Sequence, residues 1–310
     1  MLALAAAPAP AVRVSARSGT ERLDIDGYAH VQWRQILQGG GSPRYGFVLR
    51  RARVEFDYRF DERVAASLEL GGDRLALSVK DAFIEYRVGR PLRLVAGLRK
   101  MPFSREELRP SNRLLTIERG ETNDEFGELG FLGRDIGLAV DGELFEPVLP
   151  VGYALGVYNG TRFYRDDNDA KQFVERLTVA PARWLAVGLN ATQRNDTLTG
   201  RLVGAGGGDV LVSLGAATVE AEALAGTAEP GRTLAGGHVT GAYRLGAFEP
   251  VARFERFSPD VAAGDWQTTA TAGLNWHVHR GARLKANLVA EFEPGSRAGY
   301  AAVVEAQAGF

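Results

Sequence analysis

From residue 22 onward, apolar and polar positions alternate with a period of two, in runs of about ten residues separated by turn residues. In the first run Leu23, Ile25, Gly27, Ala29, Val31 and Trp33 share one face, and Asp24, Asp26, Tyr28, His30, Gln32 and Arg34 share the other. The second run is sharper: Ala52, Val54, Phe56, Tyr58 and Phe60 alternate with Arg51, Arg53, Glu55, Asp57 and Arg59. The same rule places strands near 63–70, 77–88, 92–101, 134–145, 151–159, 173–180, 184–193, 209–215, 217–226, 236–245, 247–257, 266–278, 283–293 and 300–310. With the first two these make sixteen, and the chain is predicted to be all-β.

The connections carry an independent regularity. Those at 61–62, 89–91, 146–150, 181–183, 246 and 279–282 are tight, whereas those at 35–45, 102–133, 160–172, 194–208 and 258–265 are long. An even meander with short turns at one end and long loops at the other predicts a 16-stranded antiparallel transmembrane β-barrel, with both termini at the short-turn end. A soluble sandwich also alternates, but the polar face here carries so many charges that it needs a water-filled interior. Aromatic residues near strand ends (Tyr28, Trp33, Phe60, Tyr86, Trp184, Trp266 and Trp276) suit interfacial girdles. No run approaches the roughly 18 apolar residues of a spanning helix.

Composition narrows the chemistry. The 310 residues are 45% hydrophobic and 24% charged, with a net charge of -1 and no cysteine. Disulfides, thiolate metal sites, iron–sulfur clusters and thiol nucleophiles are thereby excluded, and the balanced charge argues against a nucleic-acid-binding tail. Residues 1–21 read as a degraded signal peptide or a flexible Ala/Pro leader, and 22–310 as a single barrel exported through the periplasm. The final alternating strand ends on Phe310, an ending that resembles the signal read by the outer-membrane assembly machinery.

Alternation sorts the basic residues by face. Lipid-facing Arg or Lys near the membrane midplane costs about 2–4 kcal/mol, so these side chains are expected in the lumen. Arg51, Arg53 and Arg59 descend strand two, and Arg93, Arg99 and Lys100 climb strand five. Arg34, Arg87, Arg176, Arg244, Arg253 and Lys285 are further inward candidates. Such a ladder favours anions, because guanidinium matches phosphate and carboxylate oxygens. The alternative is that these groups pair with Glu55, Asp57, Glu69, Asp81 and Glu85. The long segment 102–133 lacks alternation and is expected to fold into the barrel as a constriction loop carrying Arg105, Arg109, Arg113 and Arg119; the alternative is a solvated extracellular lid.

Other signals imply less. The run GAGGG at 204–208 lacks the strand-to-helix context of a nucleotide loop and reads as a flexible loop tip. His277 and His279 share a strand face without acidic or histidine partners at ligand spacing, so no metal is implied, and no cofactor either. Glu106, Glu107, Asp124, Glu125 and Glu128 read as solvated loop charges rather than catalytic acids.

Several segments together resemble the phosphate-selective porin O and P family: FVLRRARVEFDYRF (47–60), DAFIEYR (81–87), LRLVAGLRKMPFSREEL (92–108), LGRDIGLAVDG (132–142), YALGVYNG (153–160) and EPVARFERF (249–257). The resemblance implies a sixteen-stranded, trimeric channel with a basic ladder and a constriction formed by the third long loop. By position, its RRAR-type segment falls on Arg50, Arg51 and Arg53, and its K-x-P-F segment on Lys100, Pro102 and Phe103. The function so implied is diffusion of small hydrophilic solutes across the bacterial outer membrane, with a preference for anions such as phosphate. The alternatives are a barrel hydrolase of the same membrane and a barrel plugged by its long loop.

Overall fold

The computed structural model describes residues 13–38, 45–160, 169–196, 200–229 and 232–309. After a short β1 (Val14–Ser18) come β2 (Glu21–Gln38), β3 (Tyr45–Arg59), β4 (Val64–Asp73), β5 (Ala76–Gly89), β6 (Leu92–Lys100), β7 (Arg134–Leu144), β8 (Val151–Tyr158) and β9 (Gln172–Ala182). They are followed by β10 (Leu185–Asn195), β11 (Leu202–Leu214), β12 (Ala217–Glu229), β13 (Arg232–Tyr243), β14 (Phe248–Ser258), β15 (Gln267–His279), β16 (Ala282–Phe292) and β17 (Gly299–Gly309). From β2 on, each strand pairs antiparallel with the next, and β17 returns to β2 with Glu305 opposite Gln32. Closure leaves no unpaired edge, which hydrocarbon would penalise heavily. The sixteen expected strands are those of the barrel.

Residues 14–18, inside the stretch expected to be a leader, form β1 and pair with β2 at Val14↔Ile25. They occupy the edge of β2 that β17 uses higher up, at Gly309↔Tyr28, so β1 extends the last barrel position at the short-turn end. Residues 1–12 and Phe310, on which the leader and assembly-signal readings fall, lie outside the described residues. One expectation is corrected: residues 204–208 lie within β11 rather than at a loop tip. A Cβ on Gly207 would overlap the Ala223 carbonyl of β12, so close strand approach, not turn formation, explains the glycine there.

The sidedness is inverted relative to a soluble protein. Leu138 and Leu288 are 67% and 62% exposed, whereas Lys285 and Glu305 are each 1% exposed. An apolar wall outside and a polar wall inside is the arrangement a lipid-embedded barrel requires. Trp184, Trp276, Phe60 and Tyr86 are exposed at strand ends, as girdle residues should be. Tyr28 is the exception: it sits on the polar face with its ring 4.9 Å from that of His30.

Between β6 and β7 the chain forms α1 (Arg105–Leu108), a 3-10 turn (Ser111–Arg113) and α2 (Glu121–Glu128). Ser104 caps α1, its hydroxyl accepting the Glu107 N–H at 3.1 Å. Apolar side chains anchor this segment: Met101, Phe103, Phe126, Phe131 and Leu132 belong to one buried cluster with wall residues such as Tyr158, Leu224, Leu234 and Phe257. Burial of each large side chain is worth about 1.5–3 kcal/mol. Polar wall side chains hold the rest. Glu222 of β12 accepts the backbone N–H groups of Arg105 (2.9 Å) and Glu106 (3.0 Å), and Glu255 of β14 accepts that of Thr122 (2.8 Å). The segment is thus tied to inward-facing side chains from β9 round to β17, and its tip reaches β2 and β3 at Glu118.

Candidate functional site

Two β-bulges shape the polar wall nearest that tip. Between β2 and β3, His30 pairs with Arg51 but Val31 pairs with Leu49, leaving Arg50 as an extra residue. Between β4 and β5, Glu69 pairs with Asp81 but Leu70 with Val79, leaving Lys80 extra. Strict alternation would turn Arg50 and Lys80 toward lipid, at a cost of about 2–4 kcal/mol each. The bulge interrupts the period and lets two consecutive polar side chains share the lumen.

These residues join a network. Glu118 of the long segment accepts from Arg50 Nε (2.7 Å), Arg51 Nη2 (2.6 Å) and Gln32 Nε2 (2.7 Å). Arg53 reaches Glu69 and Asp73, both at 2.9 Å, and Lys80 reaches Asp73 at 2.7 Å. Arg134 lies 2.8 Å from Asp81 and 3.6 Å from Glu69. Lys100 and Arg119 both lie 3.3 Å from Glu107. Seven cations are therefore served by five carboxylates.

The loop carboxylates respond to this surplus. Burial, the largest influence on Glu118, pushes its pKa up, but Arg51 and Arg50 overcome it and hold the group at about 2. Glu107 is likewise lowered against its burial, by Lys100 and then Arg119. Glu106, buried against Arg253 and His238, is held at about 2.

The expected basic residues are dispersed by the fold. Arg51, Arg53, Lys100 and Arg119 meet in the network. Arg93 pairs with Asp141 (2.7 Å) and Glu85 (2.9 Å), and Arg99 with Asp141 at 3.3 Å while lying over the Phe83 ring. Arg105 pairs with Asp209 at 2.5 Å and Arg109 with Glu220, so both fasten the long segment to the wall. Arg59 and Arg113 are exposed and make no ion pair among the described residues. Instead of a free ladder, most of these guanidinium groups are paired, because a half-buried charge needs a counter-charge. Pairing with Glu69, Asp81 and Glu85 was the alternative raised by the sequence; Glu55 and Asp57 take no part. His277 does have an acidic neighbour, Glu249 of the adjacent strand, at 3.2 Å.

Sequence reasoning missed Arg50 as a lumen group by alternation, and it missed Lys80, Arg134, Glu107 and Glu118. A signal existed for the first two: each would be a charge in hydrocarbon if the period held, and that clash marks a bulge.

Two further carboxylates of the long segment are shifted the other way. Burial, then Glu255 and Glu125, push Glu121 up to about 7, and burial, then Glu118 and Glu106, push Asp124 up to about 6. Between pH 8 and pH 5 both gain protons, and the long segment loses negative charge, that of Asp124 beside Glu118 of the network. Chloride-over-potassium permeability is therefore expected to rise as the pH falls through this range, and Glu121→Gln with Asp124→Asn should flatten the rise. Bilayer reversal potentials at each pH measure it; an equally steep profile in the double variant would refute the assignment.

A family model described as phosphate-selective porin O and P matches residues 44–227. No curated protein sequence matches the chain. Among solved structures, the outer-membrane channel DcaP of Acinetobacter baumannii is similar with a TM-score of 0.73 at 9% identity, over 95% of this chain and 99% of that one. An anion-selective porin from Comamonas acidovorans gives a TM-score of 0.69 at 11% identity, over 94% and 100%. The trimer form of OmpT, an outer-membrane protein of Vibrio cholerae, gives 0.67 at 15% identity, over 94% and 100%. At these identities the likeness is one of fold: the same closed barrel of an outer-membrane channel. With more than half of its length matched by the family model, the chain belongs to the phosphate-selective porin O and P family.

Proposed function

We propose that this outer-membrane channel passes small hydrophilic solutes by diffusion and prefers anions, phosphate-like oxyanions among them. The observation that carries the reading is the sharing of carboxylates: Glu118 and Glu107 each serve two cations, while Arg53, Lys80 and Arg134 are matched by Glu69, Asp73 and Asp81, which leaves positive charge in surplus around the two loop carboxylates. Guanidinium carries five donors, so groups already paired still offer N–H to a passing oxyanion. Weak, repeated contacts of this kind permit release, as conduction requires. The segment 102–133 narrows the lumen, with Arg119 and Glu118 at its edge. The family and the trimeric Vibrio relative support a homotrimer.

The test is ion selectivity in planar bilayers. Arg51→Glu with Arg53→Glu reverses charge at the network and is expected to bring the chloride-over-potassium ratio toward or below unity. Unchanged reversal potentials would remove the network from the conduction path.

A further inference from the structure

On the lumen face of β4, Gly71 stands between Glu69 and Asp73, opposite Arg53 of β3 and Ser78 of β5. The Arg53 guanidinium spans it, reaching Glu69 on one side and Asp73 on the other, each at 2.9 Å. Lys80, turned inward by the bulge in β5, crosses from the opposite neighbour to Asp73 at 2.7 Å. Long cationic side chains from both flanking strands therefore lie over one bare stretch of backbone, and Gly71 is buried beneath them. A Cβ there would stand 2.7 Å from Arg53 Nη1 and 2.7 Å from Lys80 Cε. Contacting carbon atoms sit about 3.5–4.0 Å apart, so both side chains would have to move. At Gly72, on the lipid face, a Cβ would meet nothing nearer than the Ala52 side chain at 3.8 Å.

Glycine weakens a strand interior, and one reason to keep it there is the close approach of other groups to the backbone. The groups that approach Gly71 are the flexible ends of two side chains, which can swing off the wall at little cost to the barrel. The space they swing into is the lumen. We propose that Gly71 is a positioning residue for conduction. By carrying no side chain it keeps Arg53 and Lys80 flat on the wall, and so sets the free cross-section beside the network and the distance at which a passing ion meets the two charges. This role requires the network to border the conduction path, as proposed above. It requires no excess of charge, because Arg53 and Lys80 have Glu69 and Asp73 as partners.

Single-channel conductance and reversal potential in potassium chloride test it. Gly71→Val is expected to lower the conductance by a factor of about two and to raise the chloride-over-potassium ratio, as the displaced cations enter the path. Gly72→Val should change neither. In a Lys80→Ala background, Gly71→Val should have a clearly smaller effect, because one of the two side chains that it displaces is gone. Gly71→Ala is expected to give the same shifts in milder form, and it carries the test should the valine variant fail to insert. Native conductance and selectivity in the Gly71 variants overturn the inference and leave the network reading intact. An undiminished effect in the Lys80→Ala background also overturns it, since the added side chain would then itself obstruct the pore. If reversing Arg51 and Arg53 leaves reversal potentials unchanged, the network reading falls, and this role of Gly71 with it.

Discussion

Glu118→Gln is expected to raise the chloride-over-potassium permeability ratio and to loosen the tip of the 102–133 segment. The carboxylate is the only acidic partner that Arg50 and Arg51 have among the described residues, and Gln32 donates to it as well. A neutral amide keeps one acceptor oxygen but removes the counter-charge, so two guanidinium groups become available to anions. Hydrogen bonds to charged groups contribute about 1.5–3 kcal/mol each, and losing that assistance at the tip weakens its hold on β2 and β3 by an amount of this order. Reversal potentials read the first effect and trypsin cleavage after the exposed Arg113 reads the second. A folded variant with unaltered selectivity would place these arginines outside the conduction path.

Lys285→Met should act on the same segment from β16, two strands round the wall from β2. The ammonium group of Lys285 is buried and donates to the backbone carbonyls of Leu114 (3.1 Å) and Thr116. Its neighbours bind the same stretch: Asn287 accepts the Ile117 N–H at 2.8 Å, Asn275 donates to the Leu115 carbonyl at 3.0 Å, and Arg283 and Gln307 both donate to that of Asn112. Because the wall reads backbone rather than side chains here, the loop's own residues at 112–117 contribute little to its position. Methionine fills similar space but leaves two carbonyls without a donor, at about 1–3 kcal/mol for each unsatisfied buried group. Faster cleavage after Arg113 and noisier open-channel current are expected. Unchanged proteolysis would mean that the apolar cluster and the remaining tethers hold the segment by themselves.

Both experiments concern contacts that no period in the sequence announces. Glu118 meets Arg51 across 67 residues, and Lys285 meets Thr116 across 169. Such pairs depend on how a long segment without regular spacing lies against distant strands. Its alternating-charge composition indicated many possible partners for Arg105 and Arg109 and selected none. The fold then assigned them Asp209 and Glu220, on wall strands away from the network.

What the sequence determined by itself was sidedness and strand number. A period of two over some ten residues admits one assignment of faces when one side meets hydrocarbon, because the wrong assignment buries charge in lipid at each turn of the pattern. Runs bounded by Asp61-Glu62 or Gly246 therefore announced β3, β4, β13 and β14 directly. The tertiary structure alone decided where the period breaks and which charges meet. Bulges at Arg50 and Lys80 arise from the pairing of two strands rather than from either strand, and a half-buried ion pair forms only with the partner that folding delivers. Local spacing constrains the first kind of fact; only the closed barrel, with its loop drawn against the wall, supplies the second.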